Sequence, residues 1–253
     1  MITGASGGLG AAIARELARR GADLVLTARR RELLEALAAE TGGEVVVADL
    51  GDRADVDRLT EDAAGVDVLV LNAGVGSDTV IEEESSEHVD AMIDVNLRAP
   101  IQMAVGFAQH HLQERHRAQL VLVGSLSGLA ATPNTRMYYA TKFGLRGFAH
   151  SLRQDLDGTG IGVTLVSPGF IRDAGMFAEG DIDLPPGVRT KSPQDVADAV
   201  VTAITSNPPE VFVSPIELRL SATLATVAPG LSATIQKRIG TAGMKSPDAG
   251  PKA

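Results

Sequence analysis

Hydrophobic positions along the chain fall into two interleaved patterns. Short runs rich in β-branched residues or leucine recur at Leu24–Thr27, Val45–Ala48, Val68–Leu71, Leu120–Val123, Val163–Val166 and Val211–Val213. Runs this short, without polar alternation, predict strands buried on both faces. Between them apolar side chains return at helical spacing. Leu9, Ile13 and Leu17 mark one helix and Leu33, Leu34 and Leu37 a second, and three more cover Ser86 to about His116, Arg136–Leu156 and Ser192–Ser206. Ser192 is placed to cap the last of these, with Pro193 at the first helical position. Strands alternating with helices require right-handed crossovers and a parallel sheet covered on both sides. The pattern predicts an α/β fold, a doubly wound parallel sheet in three α/β/α layers.

No fixed-period repeat and no Pro/Ser-rich linker divides the chain before about residue 214, so residues 1–213 are expected to form one domain. Residues 173–191 contain Gly175, Gly180, Pro185, Pro186 and Gly187 after a strand, where loops above a sheet become substrate lids. Residues 214–253 form an extension without an assigned role, frayed from Lys245. The uncharged stretches Ala118–Thr135 and Leu220–Gln236 fall short of the ~20 mostly apolar residues of a spanning helix, so no membrane span is expected. Docking of Leu220–Gln236 on a partner or membrane surface would need a continuous amphipathic helix, against which Pro229-Gly230 and the Ser/Thr content argue.

Composition narrows the function. The 253 residues carry 23 basic and 32 acidic side chains, a net charge of −9. Arg29, Arg30 and Arg31 are the one basic cluster, so a nucleic-acid binder is not expected. The absence of cysteine excludes disulfides, thiolate metal sites and cysteine nucleophiles. Met-Ile-Thr-Gly is no secretory signal, which makes a cytoplasmic protein the default expectation.

Three motifs carry chemistry. Thr3-Gly4-Ala5-Ser6-Gly7-Gly8-Leu9-Gly10 opens directly before the first helix, where glycines let the backbone approach a pyrophosphate and the helix N-terminus presents free N–H groups. The second strand ends at Ala28-Arg29-Arg30, where dinucleotide folds meet the adenosine ribose. An acid there accepts from a free 2′-hydroxyl, whereas an arginine pairs with a 2′-phosphate, so Ala28 and Arg29 favour NADP over NAD. Tyr138 and Lys142 stand four apart, on one face of a helix. A nearby ammonium favours phenolate, so Lys142 is expected to lower the Tyr138 pKa toward the range useful for acid/base work. Ser125, at a strand end, is placed to hydrogen-bond a substrate carbonyl oxygen.

Thr3-Gly4-(x)3-Gly8-x-Gly10, Asn72-Ala73-Gly74, Asn96, Ser125, Tyr138-(x)3-Lys142 and Pro168-Gly169 stand in an order and spacing that resemble the short-chain dehydrogenase/reductase family, over roughly Met1 to Val213. The resemblance implies a Rossmann-like fold and an NADP-dependent oxidoreductase moving a hydride between nicotinamide and a small carbonyl or alcohol substrate. Tyr138 would be the acid/base and Lys142 would also hold the nicotinamide ribose. Ser125 would steady the substrate oxygen, and Asn96 would complete a proton relay through a water. Gly4, Ser6, Gly7, Gly8, Leu9 and Gly10 match the pyrophosphate loop, Asp49 and Leu50 the adenine pocket, and Asn72, Ala73 and Gly74 the fourth-strand cofactor contact. Pro168, Gly169 and Ile171 match the segment against the nicotinamide. Family resemblance also implies a homodimer or homotetramer built through the long helices. The rival is a dinucleotide-binding regulator without turnover, against which the intact Asn96, Ser125, Tyr138 and Lys142 speak.

Departures from the family pattern matter too. Only Met1 and Ile2 precede Thr3, so the central strand reads as truncated, and an upstream start or a cut chain is expected. Asp173 stands where the family often has a threonine on the carboxamide. Gly4-x-x-Gly7-x-x-Gly10 also fits the epimerase branch, but total length and Asn72-Ala73-Gly74 decide against it. Gly124-Ser125-Leu126-Ser127-Gly128 lacks the central serine of a hydrolase elbow. His110, His111 and His116 lack a ligand pair at four-residue spacing, so solvated side chains and no metal are expected. Glu82, Glu83, Glu84 and Glu87 read as a wet helix start. Leu129, Met137, Met176 and Phe177 suggest an apolar, moderately large ligand, with specificity expected from residues 130–136 and 173–191 and a contribution from the tail.

Overall fold

A computed structural model describes residues 1–76, 79–173, 189–230 and 234. Its seven strands are β1 (Ile2–Thr3), β2 (Val25–Ala28), β3 (Glu44–Val47), β4 (Val68–Leu71), β5 (Ala118–Val123), β6 (Ile161–Pro168) and β7 (Glu210–Val213). They form one parallel sheet in the order β3-β2-β1-β4-β5-β6-β7. The order reverses between β1 and β4, which opens a crevice at the carboxyl ends of those strands, where doubly wound sheets bind ligands.

Because strand side chains alternate, an all-apolar strand feeds both faces. Leu69, Leu71, Leu120, Leu122, Val163 and Leu165 join one core with α3 (Arg53–Asp62), α5 (Ala99–Glu114) and α6 (Arg136–Asp155). Ile2, Leu26, Val70, Val121, Val123 and Val166 join the other with α1 (Gly8–Arg19), α2 (Arg31–Thr41) and α7 (Pro193–Ser206). The three layers are those expected from the sequence. α7 starts as its sequence implies: Ser192 Oγ accepts from Asp195 N, and the Asp195 carboxylate accepts from Ser192 N at 2.8 Å.

Two elements differ from expectation. α3 lacks a strong apolar period, having only Val56 and Leu59 buried, yet Asp52 caps it through Ala54 N and Asp55 N. The expected long helix from Ser86 is three pieces: α4 (Ser86–Ile93), a π-helical turn (Asp94–Arg98) and α5. Single π turns often mark functional positions, and this one contains Asn96. The short β1 stands in the middle of the sheet, and Met1 itself completes its neighbours' bonding: its amino group donates to Val68 O at 2.8 Å and its carbonyl accepts from Val70 N at 2.9 Å. A further helix, α8 (Ile216–Val227), stops before Pro229. No helix among the described residues is long and apolar enough to cross a membrane.

Candidate active site

The glycine loop between β1 and α1 is fixed by contacts of its own backbone. Gly4 adopts φ +67°, and a Cβ there would stand 2.8 Å from Ala73 Cα. At Gly10 a Cβ would lie 2.2 Å from the Gly4 carbonyl oxygen, closer than any side chain tolerates. Thr3 Oγ1 accepts from the backbone N–H groups of Asn72 and Ala73, both at 3.0 Å, and Asn72 Nδ2 donates to Thr3 O at 3.0 Å. The side chain of Asn72 thus ties the end of β4 to the loop. Gly7 occupies the N-cap of α1, where no side chain bonds the first turn and no acid sits in it. The uncapped amides and positive helix end suit a pyrophosphate, so the residues present fit a dinucleotide.

At the end of β2 it is Arg30, not Arg29, whose side chain reaches the loop. Its guanidinium donates to Ser6 O at 3.0 Å and to Ser6 Oγ at 3.4 Å. Arg29 is exposed, with no hydrogen bond or ion pair among the described residues. Ala28 closes the strand beside Val47, without an acid. Sequence reasoning singled out Arg29 alone, because three adjacent arginines look equivalent until the start of α2 fixes their directions.

Across the switch point, β5 ends at Val123 and delivers Ser125, whose hydroxyl accepts from Ser127 N at 3.1 Å and is near enough to the Tyr138 phenol to pull its pKa down. α6 carries Tyr138 and, one turn on, Lys142. The Lys142 ammonium is buried, donates to Val123 O at 3.2 Å and lies 5.7 Å from the Tyr138 ring centroid. A Cβ on Gly74 would come within 3.7 Å of Lys142 Nζ and 3.3 Å of Asn96 Oδ1, so the glycine keeps a narrow gap open between them. Asn96 is buried with both ends of its amide committed: Oδ1 accepts from Val75 N and Nδ2 donates to Val75 O, each at 2.8 Å. Its side chain pins the β4 loop to the π turn.

Electrostatics correct one expectation. Burial pushes the Tyr138 phenol up to about 12, against a smaller downward pull from the Ser125 hydroxyl. Lys142 does not lower it, because the ammonium is directed at Val123 O and burial holds its own pKa down at about 8. At neutral pH the pair is therefore a phenol beside an ammonium.

The model of short chain dehydrogenases matches residues 1–183. The chain belongs to the short-chain dehydrogenase family. It is 34% identical to the 3-oxoacyl-acyl-carrier-protein reductase of Rickettsia conorii over 174 residues, 68% of this chain and 72% of that protein. An uncharacterised oxidoreductase of Staphylococcus epidermidis is 33% identical over 226 residues, 87% of this chain and 95% of that one. Among solved structures, a short-chain dehydrogenase from Sphingobium yanoikuyae in complex with NADPH superposes with a TM-score of 0.76 at 26% identity, covering 100% of this chain and 98% of the other.

Other positions matched to the short-chain dehydrogenase pattern have structural duties in the protein alone. Leu50 is buried in the α3 core, and the Asp49 carboxylate accepts from Gly51 N at 2.9 Å. Pro168 pairs with Val213 at the end of β6, Gly169 N donates to Val213 O, and Ile171 is buried and bridged to Lys191. Gly8 and Leu9 begin α1, Gly8 exposed and Leu9 against the α1 core. Met176 and Phe177 lie outside the described residues, as does the expected lid except for Asp173 and residues 189–191. Leu129 is buried and Met137 half-buried.

Two readings of charged residues are corrected. His111 is buried, 4.4 Å from the Phe107 ring, with Nε2 3.1 Å from Val66 O, and burial lowers its pKa. It closes the core under α5 instead of facing water. No metal-holding cluster of His, Asp and Glu occurs among the described residues. Glu82 and Glu83 are exposed, but Glu84 is half-buried between His88 and Arg136, with Arg136 Nη2 at 2.7 Å. Arg136 also donates to Thr79 O and Val80 O, which ties the loop after β4 to the start of α6, two residues before Tyr138. A carboxylate so far along the chain from its arginine leaves no signal in local spacing.

Proposed function

We propose that the protein is an NADP-dependent oxidoreductase that transfers a hydride between nicotinamide and the carbonyl or alcohol carbon of a small molecule, with Tyr138 as general acid/base. The observation that carries this reading is the buried Tyr138 phenol influenced by the Ser125 hydroxyl, with the Lys142 ammonium one turn along α6 beside the Gly74 gap. The cofactor would supply the hydride chemistry, held by the Gly4–Gly10 loop and the end of β4. The protein's part is proton transfer and placement. Ser125 donates to the substrate oxygen, and the Tyr138 hydroxyl gives that oxygen its proton in reduction or takes it in oxidation. Lys142, beside the Gly74 gap, would hold the nicotinamide ribose hydroxyls when the cofactor is bound. Pro168 and Gly169, at the end of β6, would pack against the nicotinamide.

Preference for the phosphorylated cofactor rests on Ala28, Arg29 and Arg30 with Ser6, a set that offers donors and no acid. The NADPH complex of the Sphingobium relative and a 33% identical metagenomic short-chain oxidoreductase solved with NADP agree with it. Assembly as a homodimer or homotetramer is supported by the exposed Val105 and Leu112 of α5 and Phe143 of α6. A panel of ketones and aldehydes assayed with NADPH and NADH tests the reading. Oxidation of NADPH by at least one carbonyl is expected, abolished in Tyr138→Phe. Cofactor binding without turnover across a wide panel would reject it in favour of a regulator.

A further inference from the structure

The helix that carries Tyr138 starts without the usual means of holding a first turn. Thr135 stands at the N-cap of α6, yet its hydroxyl makes no cap bond; it donates to Thr132 O at 2.9 Å, and no acid follows in the first turn. Unbonded N–H groups leave a helix start prone to fray unless side chains or neighbours tie it down. Tyr138 lies in that turn.

The tie comes from Arg136, the first residue of α6, which reaches across to the loop after β4. Its Nη1 donates to Thr79 O at 2.7 Å, and its Nη2 donates to Val80 O at 3.2 Å and meets Glu84 Oε2 at 2.7 Å. Thr79 N returns a bond to Asn134 O at 3.0 Å. Glu84 is anchored in turn: its side chain is 13% exposed, its other carboxylate oxygen is bonded to His88 Nδ1, and Ser85 beside it caps α4 through His88 N at 3.1 Å. α4 runs directly into the π turn, whose Asn96 Nδ2 donates to Thr141 Oγ1 at 3.4 Å, while Thr141 Oγ1 donates to Tyr138 O at 2.8 Å. α4 and its π turn therefore grip α6 on either side of Tyr138.

We infer that Glu84 and Arg136 are positioning residues: the pair fixes the first turn of α6, and with it the place of the Tyr138 hydroxyl relative to Ser125, a role that rests on the activity proposed above. Proton transfer tolerates little misplacement, and a shift of ~1 Å from a change away from the reacting atoms can cost about 10²-fold in rate. A partly buried ion pair adds little net stability, because desolvation offsets much of its attraction. What this one supplies is direction, since a guanidinium held by two carbonyls and a carboxylate has one orientation. Ser125 and Lys142 do not depend on it. Ser125 is set by the end of β5 and by Ser127 N, and Lys142 lies one turn further along α6, buried against Val123 O. Loss of the pair should therefore act on kcat and spare cofactor binding.

Kinetics of the full chain on a carbonyl from the NADPH panel, paired with hydrogen exchange read by mass spectrometry, tests the role. Arg136→Met is expected to lower kcat about tenfold to a hundredfold, with the KM for NADPH within about twofold of the parent. Glu84→Gln keeps an acceptor for Arg136 and should lose about threefold to tenfold, which preserves the test if the methionine variant fails to fold. The double variant should be no slower than Arg136→Met, because the two side chains act as one. Arg136→Lys keeps the charge without the fork and should recover only part of the loss. Exchange over residues 136–142 should quicken in Arg136→Met, with the second half of α6 and the thermal midpoint little changed. A parent that turns over and is matched in kcat by both single variants overturns the inference and leaves the proposed activity standing, as does a double variant whose losses multiply. A lowered thermal midpoint with faster exchange along all of α6 would assign the pair to general stability and overturn it too. A parent inactive on every carbonyl rejects the activity and this role together.

Discussion

The loops after β1 and β6 both leave the carboxyl edge of the sheet, yet they are specified in opposite ways. The first is locked by its own backbone: Gly4 and Gly10 leave no room for a Cβ, and Thr3 and Asn72 tie it to β4. The second leaves β6 and returns through the Ile171–Lys191 bridge, and around its described ends Arg172, Arg189 and Lys191 line a cavity of about 410 Å³ with Asp195, Ser214 and Ile216. A cofactor shared by many enzymes can be held by main-chain geometry, which only glycine permits. A substrate peculiar to one enzyme has to be met by side chains, and these follow no motif.

The comparison breaks most sharply if Tyr138 proves dispensable. Tyr138→Phe removes the proton donor and keeps the ring, so a fall of about 10²–10⁴ in kcat is expected with little change in cofactor affinity. Steady-state kinetics with fluorescence titration of NADPH separate the two effects. Next in size is Gly10→Ala, whose Cβ would meet the Gly4 carbonyl at 2.2 Å. A destabilisation of about 1–3 kcal/mol and lost dinucleotide binding are expected, because the backbone has to move. Denaturant unfolding measures the first part, and an unchanged midpoint would show that the loop is less rigid than its contacts imply. Arg30→Ala should raise the KM for NADPH about tenfold and leave NADH nearly unaffected, consistent with the loss of a charge-assisted bond of about 1.5 kcal/mol. Arg29→Ala, compared in the same assay, divides the preference between the two arginines.

How much of this was legible in the sequence follows the same division. Glycines, the Tyr138–Lys142 spacing and unalternated strands are local statements, and the structure places the parallel strands, the layers and the Ser192 cap as read. What escaped depends on distance or direction. The Arg30–Ser6 contact escaped because side-chain direction at a strand–helix junction is set by the fold. The Glu84–Arg136 pair joins segments far apart in sequence, and His111 looked solvated among polar neighbours although α5 turns it into the core. Asn96 was legible as a residue, but not the π turn that carries it. The pKa of Tyr138 escaped for another reason. Spacing reveals a cation one turn away, whereas desolvation depends on everything packed around both groups.

That desolvation gives the smallest expected effect and the most discriminating. Lys142 titrates near about 10.5 in the unfolded chain and about 8 in the folded one, so folding disfavours its proton. The cost is complete below pH 8 and fades as pH rises toward 10.5, where both states are neutral. Lys142→Met should therefore be more stable than the parent at pH 7, by roughly 1–3 kcal/mol, and equal to it above that range, while its activity collapses. Activity carries the same signature. Carbonyl reduction needs the phenol, which stays protonated up to about 12, together with the ammonium, so kcat/KM for reduction is expected to be flat and then to fall above about pH 8. Alcohol oxidation needs the phenolate and the same ammonium, so its rate should rise up to about pH 8 and then level off. Profiles of the two directions that fall together above about pH 8 would place the titrating group outside this pair, and with it the link between α6 and the chemistry.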